Sequence, residues 1–168
     1  GAHERGLRVF MDLVVNHSSD EHPWFKESRK SKDSPYHDYY FWRPGRRGRI
    51  NGKKLLPPNN WTSLFEGGAW EYDSNLDEFY LHLFAKKQPD LNMDNPAVRE
   101  EVKKILRFWL DMGVNGFRED VITFVSKAPG LPDAYPKLPA ANGMKYYSNR
   151  PEVHAYLKEF KRDVFSNY

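Results

Sequence analysis

Residues Leu7 to Val15, LRVFMDLVV, form a near-continuous apolar run with one acid inside it. A run this short and this apolar suits a strand covered on both faces in a parallel sheet, since a strand with one wet face alternates apolar with polar. Parallel strands must be joined by a crossover, usually a helix. The sequence supplies one. From Ala97 to Met112, apolar groups recur at Val98, Val102, Ile105, Leu106, Trp109 and Met112, a spacing of three and four that builds one helix face. Asn95 is placed to cap it, Pro96 to occupy its first position and Gly113 to stop it. Val114 to Ile122, VNGFREDVI, then reads as a second strand, and Pro151 to Val164 as a second helix with Asn149 and Glu152 resembling a capping box. Strand, helix, strand, helix is the order of an α/β fold with a parallel sheet.

About 80 residues separate Asn16 from Asn95, where a strand-to-helix connection usually takes roughly 2 to 6. The segment is therefore expected to be a small subdomain. It holds four of the five Trp residues, turn signals such as PPNN and EGG, and FYLHLF as a short strand. A second long loop, rich in Pro, Gly and Ala, runs from Ala128 to Tyr147.

Composition bounds the function classes. A 39% hydrophobic and 15% aromatic chain of 168 residues can build one core, and a net charge of +3 does not demand a polyanionic partner. The local basic run RPGRRGRINGKK, Arg43 to Lys54, lies beside the aromatics Tyr39 to Trp42. That combination can bind nucleic acid, although most such runs are solvated loops, and no nucleic-acid partner is expected. The chain has no cysteine, which removes disulfides and thiolate metal sites and fits a cytoplasmic setting. No HExxH-like ligand spacing occurs, so neither metal nor cofactor is expected. Nor does any stretch approach the roughly 18 to 20 apolar residues that cross a bilayer. The polar GAHERG that leads straight into a strand suggests a fragment.

Alternation along a strand puts Arg118 and Asp120 on one face and Phe117, Glu119 and Val121 on the other. An adjacent guanidinium favours the ionised carboxylate and fixes its orientation, which a carboxylate nucleophile needs. A structural ion pair at a strand end is the alternative. Asp12 lies near the end of the first strand, with Asn16 and His17 just beyond. A neutral imidazole there can donate a hydrogen bond to a substrate hydroxyl, and satisfied structural polar groups are again the alternative. A third cluster, QPDLN from Gln88 to Asn92, reads by itself as a turn with a cap.

Taken together, DLVVNH (Asp12 to His17), QPDLN (Gln88 to Asn92) and GFREDV (Gly116 to Val121) resemble three ordered signature regions of the α-amylase family, glycoside hydrolase family 13. HPWFKESRKS, YYFWRPG, PPNNW, FYLHLFAKK, LPDAYP and KYYSNRPEVHAYL extend the likeness to its oligo-1,6-glucosidase and dextran glucosidase group. The resemblance implies an incomplete (β/α)8 barrel. Residues 1–17 match barrel strand three and its flank, 18–95 an inserted domain B, and 96–168 helix three, strand four, a loop and helix four. It also implies roles: Asp120 the nucleophile, Arg118 its partner, His17 a sugar contact in the nonreducing-end subsite, and Asp12 structural support. Val121 matches the position where valine accompanies α-1,6 preference. The implied substrate is an isomalto-oligosaccharide, and the implied alternatives are an α-1,4-glucosidase, a sucrose- or trehalose-converting transglucosidase, or a noncatalytic relative associated with amino-acid transporters.

Retaining hydrolysis needs a second carboxyl about 5 to 5.5 Å from the nucleophile. In the family this is a glutamate on the fifth strand, beyond this sequence. Glu119 points the wrong way, and as a charge where the sheet meets helices it is expected to find a basic partner, solvent or a proton. Two strands cannot close an eight-stranded barrel, so the chain alone is expected to be inactive and to expose sheet edges, and either to oligomerise, to remain partly disordered or to rely on material outside this sequence.

Overall fold

The structure is a computed structural model and describes residues 1–50 and 53–168. Its first strand, β1 (Phe10–Val14), leads to a short helix α1 (Pro23–Ser28) and then to strands β2 (Trp42–Arg43), β3 (Arg46–Ile50), β4 (Lys53–Leu56), β5 (Trp70–Asp73) and β6 (Glu78–Leu81). Helix α2 (Pro96–Asp111), strand β7 (Gly116–Asp120) and helix α3 (Pro151–Asp163) follow. β1 and β7 pair in parallel with Phe10 opposite Gly116, Asp12 opposite Arg118 and Val14 opposite Asp120. The crossover between them contains α2, as parallel pairing requires. The intervening segment forms a three-stranded antiparallel sheet in the order β2-β6-β5 and a β3-β4 hairpin.

Helix α2 starts where the chain chemistry demands. Asn95 Oδ1 accepts the Ala97 amide at 2.9 Å, Pro96 needs no donor, and Gly113 takes φ +91° just past the end. Its inner face carries Val98, Val102 and Leu106, all essentially inaccessible, each worth about 1.5 to 3 kcal/mol relative to exposure. These pack with Leu13 and Val15 of the β1 segment, with Val153, Tyr156 and Phe160 of α3, and with Phe25, Tyr40, Trp42 and Tyr80 of the insert. One core thus joins insert and α/β layer. A second forms where Trp61, Trp70 and Leu81 meet Leu131, Ala134 and Tyr147 of the long loop. The loop passes so close to Trp61 that a Cβ on Gly143 would lie 2.5 Å from the indole. Across α2 and α3, Lys103 reaches Glu159 at 2.7 Å and Asp163 at 2.8 Å, while Arg99 meets Glu159 at 2.9 Å.

Several expectations are corrected. The apolar run is strand only from Phe10 to Val14, and it is covered on one face: Leu13 and Val15 are buried while Phe10 and Val14 are 61% and 45% exposed. The second strand ends at Asp120, because Val121 takes φ +41°, ψ +32°. FYLHLF contributes only Phe79 to Leu81 to β6. The Asn149–Glu152 capping box does not form: Arg150 is the N-cap residue and makes no side-chain cap, and Glu152 instead takes Ser126 Oγ at 3.3 Å and Arg150 at 3.3 Å. Residues 51 and 52 of the basic run lie outside the described residues, and Arg46 from that run is engaged by Asp133 at 2.8 Å and the Pro57 carbonyl at 2.9 Å.

Candidate active site

The C-terminal ends of β1 and β7 bring the expected residues together. Arg118 sits opposite Asp12 across the strand pair and two residues before Asp120 on its own strand, so one guanidinium faces two carboxylates. Nη1 donates to Asp12 Oδ2 at 3.2 Å and Nη2 meets Asp120 Oδ1 at 3.0 Å. Hydrogen bonding and charge from Asp12, then from Asp120, raise the proton affinity of Arg118 above its ordinary value. Arg118 and Asp12 are largely exposed, so the pair contributes little to stability. Its effect is geometric: it fixes the position of Asp120 Oδ1. Among the described residues Asp120 Oδ2 has no hydrogen-bond partner, and the side chain is 29% accessible, so one carboxylate oxygen is held and the other is left unengaged.

Val121 lies next to this carboxylate in a left-handed conformation that costs a β-branched residue of order 1 to 3 kcal/mol. This kink ends the strand alternation, so Val121 does not share the face of Phe117 and Glu119 as a continued strand would require. Glu119 does point away from the Arg118–Asp120 face. It is half-buried, has no ion-pair partner among the described residues, and burial holds its carboxyl above the ordinary value of 4.5.

His17 follows β1 by three residues and is partly buried. Gln88 Nε2 lies 3.0 Å from its Nε2, Asn16 Nδ2 lies 3.4 Å from its Nδ1, and the Phe84 ring centroid is 5.1 Å away. Burial lowers its pKa below 6.5, opposed by the charge of Asp90, while Lys127 lowers it further and Asp120 raises it. The ring is therefore neutral at neutral pH.

Beneath His17 lies a cluster that the spacing did not single out. Lys127 and Asp90 have no accessible side-chain surface and meet at 2.7 Å; Lys127 Nζ also donates to Asn16 Oδ1 at 2.9 Å, and Asn16 Nδ2 donates to Asp90 Oδ2 at 3.1 Å. The Leu83 amide satisfies Asp90 Oδ1 at 2.8 Å, and Phe41 presents its ring 5.4 Å from Nζ. Burial pulls the proton affinity of Lys127 down and Asp90 opposes this. The cluster ties the end of β1, the end of the insert and the segment after β7 to one another. By its spacing Asp90 belongs to a turn, and Lys127 stands out in the sequence only as a lone cation in the apolar stretch VITFVSKA. No cluster of three or more metal-binding side chains occurs among the described residues. Nor is any helix among them long and apolar enough to cross a membrane.

The chain matches, over residues 1–168, the family described as alpha amylase, catalytic domain. An oligo-1,6-glucosidase of Parageobacillus thermoglucosidasius is 60% identical over 168 residues, which are 99% of this chain and 29% of that protein. An oligo-1,6-glucosidase of Bacillus cereus is 53% identical over 167 residues, again 99% and 29%. The isomaltulose synthase structure from Erwinia rhapontici NX5 superposes with a TM-score of 0.89 at 45% identity, covering 99% of this chain and 28% of that one. This chain spans less than a third of the length of each of these relatives.

Proposed function

The chain belongs to the alpha-amylase family, and on that premise we propose that it carries the nucleophile half of a retaining α-glucosidase active site. The observation that carries this reading is the guanidinium of Arg118 at 3.0 Å from Asp120, at the C-terminal ends of two parallel strands, where barrel enzymes of this architecture place their chemistry. The strand pair corresponds to barrel strands three and four, with residues 18–95 as domain B.

Asp120 Oδ2 attacks the anomeric carbon of a terminal glucosyl unit as the glycosidic bond breaks, giving a covalent glucosyl ester that water later cleaves. Arg118 orients the nucleophile and disperses its charge. Asp12 anchors the other arm of that guanidinium and, sitting two residue pairs further from the strand ends than Asp120, is kept out of the reaction. His17 contacts a sugar hydroxyl. The carboxyl that protonates the leaving oxygen comes from outside these residues, because Glu119 faces away and Asp12 is committed to Arg118. Isomalto-oligosaccharides cleaved at α-1,6 bonds are the proposed substrates, supported by Val121 beside the nucleophile and by relatives named oligo-1,6-glucosidase. By itself the chain is inactive, and its uncovered strand face favours self-association.

The test is made in an enzyme of the relatives' full length that contains these residues. Asp120→Asn should abolish release of glucose from isomaltose while His17 and the fold are unperturbed; turnover at the parent rate would sink the assignment. Faster turnover of maltose or sucrose than of isomaltose by the parent would retain the nucleophile and replace the substrate.

A further inference from the structure

We infer that Gln88 is a positioning residue that fixes the proton of the neutral His17 ring on Nδ1, leaving Nε2 as an acceptor. Gln88 Oε1 accepts the Ala85 amide at 3.1 Å, inside a turn closed by Gln88 N–H donating to the Ala85 carbonyl at 2.8 Å. The Gln88 amide therefore cannot turn over without setting its NH2 group against a backbone N–H. Its Nε2 can only donate, and it lies 3.0 Å from His17 Nε2. That nitrogen must carry the lone pair.

The second flank is fixed in the same way. Asn16 Oδ1 is taken by Lys127 Nζ at 2.9 Å and its Nδ2 gives one hydrogen to Asp90 Oδ2 at 3.1 Å. The amide nitrogen of Asn16 thus also faces His17 as a donor, at 3.4 Å from Nδ1, which is beyond an ordinary N–H···N bond and compatible with a hydrogen on Nδ1. Two fixed donors confront a ring with one lone pair, and the shorter contact takes it. The same arrangement opposes the doubly protonated ring, since an Nε2 hydrogen would point at the Gln88 NH2 group. Of the charged groups around the ring, Asp90 and Asp120 favour the imidazolium and Lys127 disfavours it.

The consequence for the site rests on the reading above that His17 meets a sugar. A sugar hydroxyl then meets the ring in a single fixed protonation state, and Gln88 sets that state through Nε2 before the sugar arrives. The tautomer itself stands whether or not the chain acts on sugars, so the two can fail separately.

The experiment is long-range nitrogen–proton correlation NMR on the 168-residue chain labelled with 15N-histidine, with the His17 signals assigned by their loss in His17→Gln. The expected pattern is a protonated Nδ1 and a bare Nε2 in the parent. In Gln88→Glu a carboxylate replaces the donor, so the proton should move to Nε2 and the titration midpoint of His17 should rise; the other five histidines, unmoved, report an intact fold. A proton on Nε2 in the parent, or an unchanged pattern in a folded Gln88→Glu chain, overturns the inference. In the full-length enzyme, Gln88→Glu should lower kcat/KM roughly tenfold, the scale of one misplaced hydrogen bond, and shift the acid limb of its pH profile upward. An unshifted profile together with the NMR pattern expected for the parent would retain the tautomer and overturn its role in the reaction.

Discussion

Replacing Lys127 by Met isolates the energetics on which the site rests. Lys127, Asp90 and Asn16 are all inaccessible to solvent, and the replacement keeps an unbranched side chain one atom shorter while removing its charge. Asp90 would keep the Leu83 amide at 2.8 Å and Asn16 Nδ2 at 3.1 Å but would lose its counter-charge at 2.7 Å. Removing one partner of a buried pair costs about 3 to 5 kcal/mol, a large share of the roughly 5 to 15 kcal/mol that holds a domain folded. The reverse change should be milder. In Asp90→Asn, the burial that already lowers the proton affinity of Lys127 is opposed only by the smaller effect of Asp94, so the lysine can shed its proton and stay buried as an amine. The double replacement should then recover at least about 2 kcal/mol of the summed single losses. Equilibrium urea unfolding followed by tryptophan fluorescence reads these differences, since Trp42, Trp61 and Trp70 are buried. A Lys127→Met chain within about 1 kcal/mol of the parent, or a double-mutant cycle without coupling, would refute the reasoning.

Glu119→Gln should stabilise the chain near neutral pH and have no such effect in acid. Because the folded carboxyl is held above 4.5, the folded state binds more protons than the unfolded state between 4.5 and its folded value, so stability is lost as pH rises through that window; unfolding midpoints that do not converge on acidification would contradict this. His17, His22 and His82 have the opposite sign, each lowered below 6.5 mainly by burial. The unfolded chain then binds more protons, and stability should fall as pH drops below 6.5, with thermal melts flat across that range as the contrary result.

The elements whose side-chain period is unambiguous were legible in the sequence: the Val98, Val102 and Leu106 stripe of α2, its Asn95 cap and the parallel strand pair all follow from local pattern and turn chemistry, whereas Ile105 and Met112, which the spacing puts on the same face, are 36% and 65% exposed. The Arg118–Asp120 pair was legible for the same reason, since strand alternation alone sets two side chains on one face. The kink at Val121 was not, because its φ of +41° runs against the preference of a β-branched residue, and nothing local forecasts a conformation that tertiary structure imposes. The absent capping box at Asn149 has a related cause: Ser126 and Arg150 compete for Glu152, and neither competition is written in the spacing. Lys127 joins Asp90 and Asn16 only after folding, across 37 and 111 positions of sequence, so no window of chain contains the site it completes.

Whether Asp120 forms the covalent bond is decided most directly by trapping. The full-length enzyme that contains these residues would be treated with a fluorinated glucosyl fluoride, whose ester forms faster than it breaks down, then digested and sequenced by mass spectrometry. The expected result is one glucosyl adduct, on the peptide containing Gly116 to Val121 and localised to Asp120, and none in Asp120→Asn. An adduct on Asp12, on Glu119 or on any carboxylate outside this chain would contradict the assignment.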